Sequence, residues 1–145
     1  MKPTNEMKLL FPAKSVNEGF ARTAVSGFAA LCDPTVEELV DLRTAVSEAV
    51  TNCIVHAYRD RTGLIRLSCR LYADGRIVVA VKDTGCGIAD VEKARQPLFT
   101  TQPNAERSGL GFTVMESFCD KVTVRSRPNK GTLVTLTKRL SRKDA

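Results

Sequence analysis

Apolar residues recur along this chain at helical spacing, then in alternation, and the switch between the two marks its elements. Met7 to Phe11 is a short apolar run that reads as an edge strand, and Ser15, three residues before Glu18, matches a capping box that starts a helix near Val16. Phe20, Ala24, Phe28 and Leu31 then recur every three to four residues as far as Cys32, predicting one buried stripe. Asp33-Pro34 ends that helix. Thr35 and Glu38 form a second capping box, and Leu39, Leu42, Val46, Ala49, Val50, Cys53 and Ile54 mark a longer helix that ends near Tyr58. Beyond a loop over 60–63 the period changes to two. Ile65, Leu67, Cys69 and Leu71 alternate with polar residues, Asp74-Gly75 turns the chain, and Ile77 to Val81 forms a more central strand that delivers Asp83 at its end. Periodicity fails over 89–108, apart from a short turn at 90–94, and a loop of this length is usually a functional lid or disordered. A helix over 109–118 and a hairpin of 122–125 with 133–138 complete the chain. The expected fold is α/β: a two-layer sandwich with a mixed, mostly antiparallel sheet and about three helices on one face.

Length and composition narrow the setting. A chain of 145 residues is read as a single domain over 1–145, able to bury roughly 68–70% of its unfolded surface without a staple. Its five cysteines are scattered with no C-x-x-C pair, which fits reduced thiols in a cytoplasm and no structural metal. No signal pattern and no run of membrane-spanning length is present, so the expected protein is cytoplasmic and does not engage a membrane. The net charge of +6 is spread along the chain, without the aromatic-interleaved basic strand of an RNA binder, and no direct contact with nucleic acid is expected.

Three short segments carry the chemistry. Glu48, Asn52 and His56 are four apart and share one helical face. Asp83-Thr84-Gly85-Cys86-Gly87 sets a carboxylate at a strand end before glycines that let a flat base approach the backbone, or that spare the turn a collision. Ser108-Gly109-Leu110-Gly111 opens a helix with bare amides and a positive helix end, which suits a polyphosphate. Together they point to ATP. Asp83 accepts from the adenine amine, where guanine presents a repelling carbonyl. Glu48 is placed to take a proton from an attacking hydroxyl. Arg107 can reach a terminal phosphate, and Thr100 and Thr101 can offer it hydroxyls from the lid. His56, the only histidine, reads as packed or hydrogen-bonded rather than as a phosphoacceptor.

The order of these boxes resembles that of the GHKL ATPase and kinase superfamily, which includes gyrase, the ninety-kilodalton heat-shock protein and sensor histidine kinases. The resemblance implies the superfamily's ATP-binding fold, a magnesium ion held by Asn52, and a contact from Thr132 to adenine through water. Length favours a stand-alone branch. The second domain of the gyrase and chaperone branches does not fit in it, and no helical hairpin with an acceptor histidine precedes Asn52. Ser47-Glu48-Ala49-Val50-Thr51-Asn52, the segment Ala94 to Thr101 and the segment Glu106 to Glu116, together with Asn17-Glu18 and Phe20-Ala21-Arg22, are similar along essentially the whole chain to the anti-sigma F factors of endospore-forming bacteria. That similarity implies a homodimer that sequesters a sporulation sigma factor, sigma F-like, and a serine kinase whose substrate is an anti-anti-sigma factor. It also places Arg22 on a partner-binding helix. Cys86 departs from the pattern, where a small aliphatic residue is common, and its thiol is of similar size. Three alternatives remain open: a general-stress type of anti-sigma kinase, a nucleotide-gated sequestering module with little kinase activity, and a detached histidine-kinase-like domain.

Overall fold

A computed structural model describes residues 1–58, 63–95 and 111–141. Five strands form one sheet: β1 (Asn5–Pro12), β2 (Leu64–Leu71), β3 (Arg76–Asp83), β4 (Lys121–Arg127) and β5 (Gly131–Arg139), in the order β1-β2-β3-β5-β4. All four pairings are antiparallel, a narrower result than the mixed sheet expected. Alternation decides which face is covered. Ile65, Leu67, Cys69 and Leu71 of β2 are buried, as are Ile77, Val79 and Val81 of β3, while Arg66, Arg70 and Lys82 between them are exposed. Asp83 continues the odd-numbered row of β3, so the pleat that buries the valines also carries a carboxylate onto the helix-covered face.

The covering layer consists of α1 (Val16–Ala29), α2 (Val36–Asn52) and α4 (Gly111–Phe118), with a single turn, α3 (Val91–Ala94), between β3 and α4. Helix α2 is central, packing against α1 on one side and α4 on the other, and its Leu42, Val46, Ala49 and Val50 are fully excluded from solvent. The burial expected for α1 differs in phase. Ala21, Val25, Phe28 and Ala29 face the core, whereas Phe20 is 61% and Leu31 68% exposed. The small side chains Ala21 and Val25 permit close approach to α2, and that contact selects the stripe one position away from the bulky Phe20.

The two capping boxes also part company. Thr35 is extended (φ −70°, ψ 160°), its hydroxyl accepts from the Glu38 amide at 3.1 Å, and the Glu38 carboxylate accepts from the Thr35 amide at 2.8 Å. Ser15 already has helical angles (φ −57°, ψ −31°) and makes no side-chain cap. Its partner Glu18 is engaged elsewhere, accepting from the Ser47 hydroxyl of α2 at 2.5 Å and lying 3.9 Å from Arg22. Glu38 does further work at the other end of the chain. Its second oxygen accepts from both the amide and the hydroxyl of Ser141 at 2.8 Å, so the residues after β5 are tied to the start of α2.

The longer helix does not stay α-helical. Past Asn52 it widens into a π turn, Cys53–Ala57, and ends at Tyr58. That ring is accommodated because residue 63 is glycine: a Cβ there would lie 2.1 Å from it. The Tyr58 hydroxyl donates to the Leu64 carbonyl at 2.7 Å and accepts from the Thr84 amide at 2.7 Å, which fixes the end of α2 to β2 and to the end of β3.

Two outcomes follow from these contacts. Thr35→Ala is expected to cost about 1 kcal/mol in urea unfolding, and Ser15→Ala under roughly 0.5 kcal/mol, as a surface change does; equal costs would contradict the cap assignment. Burial alone would raise the Glu38 pKa, but the Thr35 and Ser141 amides and the Ser141 hydroxyl outweigh it and hold the group below its ordinary 4.5. A lowered native pKa stabilises the fold above the unfolded value, and that contribution is lost as pH falls through the native one. Stability of the wild type should therefore drop below pH 4.5 by more than that of Glu38→Ala, measured by urea titration at successive pH values.

Candidate functional site

Asp83 is the anchor of the site. It is 4% exposed, and its Oδ1 accepts from the Gly85 amide at 2.9 Å and from the Thr132 amide at 3.2 Å. Its Oδ2 accepts from the Cys53 thiol at 3.3 Å. Three separate pieces of chain, the loop after β3, the start of β5 and the end of α2, thus converge on one carboxylate. The β3–β5 register sets Thr132 directly opposite Asp83.

The loop after Asp83 is clamped by backbone. The Cys86 amide donates to the Ala57 carbonyl at 2.9 Å, and the Asn129 amide donates to the Cys86 carbonyl at 2.6 Å. Gly85 lies so near α2 that a Cβ would sit 2.3 Å from the Ala57 oxygen. Gly87 has φ +74°, and a Cβ there would meet the Arg127 oxygen at 2.0 Å. Within this structure both glycines are required by the chain's own backbone, which accounts for them without a ligand. Gly131, with φ +105°, passes equally close to the Asp83 carbonyl. The π turn matters here. The π turn carries the Ala57 carbonyl to the loop. His56 offers its backbone carbonyl to the Cys86 thiol at 3.3 Å.

Glu48 and Asn52 lie one turn apart on α2, Glu48 buried and Asn52 half-buried. A Cβ at Gly111, the first residue of α4, would stand 3.1 Å from the Asn52 amide nitrogen and 3.2 Å from its oxygen. The Asn52 amide therefore rests against the bare backbone of that helix start, and Asn52 neighbours Cys53, whose thiol touches Asp83. Gly111, Asn52, Cys53 and Asp83 thus form one connected set of residues. This arrangement fits a nucleotide with magnesium. An amide oxygen beside a helix start can supply one oxygen ligand to an ion that takes its others from phosphates and water.

Thr132 contributes more through its amide than through its hydroxyl, which lies 2.8 Å from the Ser126 hydroxyl. Ser126 carries no sequence motif, yet its hydroxyl also accepts from the Ile88 amide at 2.7 Å and donates to the Gly131 carbonyl at 2.9 Å. Cys53 and Tyr58 likewise carry no motif and show in the sequence only as helix residues. Thr100, Thr101, Arg107, Ser108 and Gly109 lie outside the described residues. At the described end of the expected lid, Arg95 donates to Glu116 of α4 at 2.9 Å and to the Val122 carbonyl at 3.0 Å.

On its α1 side, Glu48 borders a cleft of about 320 Å³ lined also by Arg22, Val40, Arg43, Thr44 and Ser47. The Nε atoms of Arg22 and Arg43 are buried there with no hydrogen-bond partner among the described residues. All five cysteines are free thiols, and no helix among the described residues is long and apolar enough to cross a membrane.

Comparison with known proteins agrees with this geometry. The family profile described as a histidine kinase-like ATPase domain matches residues 11–138. The chain is 55% identical over 142 residues to the anti-sigma F factor of Caldanaerobacter subterraneus subsp. tengcongensis, covering 98% of this chain and 99% of that protein. It is 52% identical to that of Geobacillus kaustophilus, with 97% of each covered. Among solved structures, the RsbU and RsbW domains of a Mycobacterium tuberculosis protein align with a TM-score of 0.70 at 24% identity, over 97% of this chain and 34% of that longer one. A blue-light activated histidine kinase domain from Erythrobacter litoralis aligns at 0.55 and 20% identity, over 85% and 61%. Those two likenesses concern the fold. From the sequence matches, the chain belongs to the anti-sigma F factor family, within the histidine kinase-like ATPase domains.

Proposed function

We propose that this protein binds ATP with magnesium, phosphorylates a serine of an anti-anti-sigma factor, and as a homodimer in the cytoplasm holds a sigma F-like sporulation sigma factor inactive. The observation that carries the reading is the convergence of Asp83, Asn52 and Gly111. A buried carboxylate suited to an exocyclic amine is bonded by Cys53, the residue after the Asn52 amide that faces a helix start suited to phosphate.

In this reading Asp83 accepts from the adenine amine, Thr132 lies beside it, and the amides near Ser108, Gly109 and Gly111 receive the phosphates. Magnesium, when bound through Asn52, neutralises charge on the phosphate oxygens. Glu48 takes the proton of the serine hydroxyl as that oxygen bonds to the terminal phosphorus; the bond from phosphorus to the bridging oxygen breaks, and ADP leaves. Arg107, with Thr100 and Thr101, steadies the terminal phosphoryl group. Partner binding is assigned to the α1 side, where Arg22 lines the cleft beside Glu48. Exposed Phe20, Val16 and Val40 flank the same helices and supply an apolar surface that a partner or second copy can cover. The relatives' name, anti-sigma F factor, supports a sigma F-like target.

The direct test is to mix the protein with labelled ATP and a candidate anti-anti-sigma factor. Acid-stable label on the partner supports transfer to serine, acid-labile label indicates histidine, and no label leaves a sequestering module. Asn52→Ala should abolish magnesium-dependent ATP binding in calorimetry with the fold retained; wild-type affinity would sink the ligand assignment. Glu48→Gln should keep ATP and lower transfer by roughly 10²–10⁴-fold. Sigma factor should bind more tightly with ATP than with ADP, and Arg107→Ala should shrink that difference, since only ATP offers the group it grips, through contacts of about 1.5–3 kcal/mol each. Equal sigma affinity in both nucleotides would remove the gating.

A further inference from the structure

One side chain at the site is given no part by the motifs. Cys53 opens the π turn immediately after Asn52, is 3% exposed, and places its Sγ 3.3 Å from Asp83 Oδ2. An ionised carboxylate has about four acceptor positions. Two described donors, the Gly85 and Thr132 amides, occupy Oδ1, and the thiol occupies one position on Oδ2. The position left for an incoming amine is therefore on the oxygen that the thiol holds.

The torsion of a carboxylate about its last bond is broad and roughly two-fold. Backbone donors on one oxygen leave the other free to swing, and a donor on that second oxygen narrows it. We propose that Cys53 is a positioning residue for base recognition: its S–H aims Asp83 Oδ2, and so sharpens selection of a purine bearing a 6-amino group. The proposal rests on the reading of Asp83 as the adenine-binding carboxylate.

The thiol suits the task physically. It is 3% exposed, so water does not compete for its S–H, which donates to Asp83 Oδ2. The contrasting role is that of a small hydrophobe filling space between α2 and β3. The two roles separate by readout, because a filler changes thermal stability whereas a positioning donor changes the choice between ligands.

Affinities for ATP and for purine riboside triphosphate, which has hydrogen in place of the 6-amino group, are to be measured by calorimetry for wild type, Cys53→Ala, Cys53→Ser and Asp83→Asn. Wild type should prefer ATP. Cys53→Ala should reduce that preference by roughly 2–10-fold, the range of one modest hydrogen bond, and Cys53→Ser, which restores a donor, should keep it within about twofold. The ratio does not depend on the fraction of protein that is folded. An unchanged ratio in Cys53→Ala overturns the role of the thiol, whatever happens to its Tm. If Asp83→Asn retains the full preference, the adenine reading itself fails and the proposal falls with it; if Asp83→Asn loses the preference and Cys53→Ala does not, the thiol's role alone is overturned.

Discussion

A buried carboxylate must be satisfied by donors, and in this protein the donors of Asp83 come from three different segments. An unpaired acceptor there would cost on the order of 1–3 kcal/mol, so the loop after β3, the start of β5 and the end of α2 are each held in place by the same group. With the Cys86 amide bonded to the Ala57 carbonyl and the Thr84 amide to the Tyr58 hydroxyl, that carboxylate holds the adenine-type loop against the helix that carries Glu48 and Asn52. The backbone contacts around it are correspondingly close. Gly85, Gly87 and Gly131 each pass within reach of a neighbouring carbonyl that no β-carbon could tolerate.

The π turn over Cys53–Ala57 links this constraint to the chemistry. It lets α2 remain a regular helix as far as Asn52, so that Glu48 and Asn52 keep their one-turn spacing. Only afterwards does it widen, to present the Ala57 carbonyl to the Cys86 amide and the Cys53 thiol to Asp83. Such insertions are frequent where function needs a helix to deliver two sets of groups at slightly different angles. Tyr58 then closes the arrangement by bonding both β2 and the residue after Asp83.

The rest of the fold serves stability and access. Glu38 joins the first turn of α2 to the residues after β5. Glu18, freed from capping α1, joins that helix to α2 through Ser47, the residue next to Glu48. The Arg22 and Arg43 cleft therefore abuts the face that bears the proposed base, Glu48.

What the sequence determined by itself were the features with a local cause. Two-residue alternation identified β2 and predicted which of its sides is buried, while the apolar run Ile77 to Val81 marked β3 as central without telling its faces apart; the Thr35 capping box marked the start of α2; the four-residue step put Glu48 and Asn52 on one face. The motif order also implied that these segments meet at a nucleotide, since each box is chemically incomplete alone. Tertiary structure decided what depends on neighbours distant in the chain. Phe20 is as apolar as Val25, and only the close approach of α2 to α1 determines that Val25 is buried and Phe20 exposed. Ser15 and Glu18 satisfy the capping pattern, yet a hydroxyl twenty-nine positions from Glu18 takes its carboxylate instead. Cys53, Tyr58 and Ser126 carry no motif and acquire their roles solely from where β3 ends and β5 begins. A hydrogen bond between residues far apart in sequence leaves no period or spacing to read, because its geometry exists only once the layers have packed.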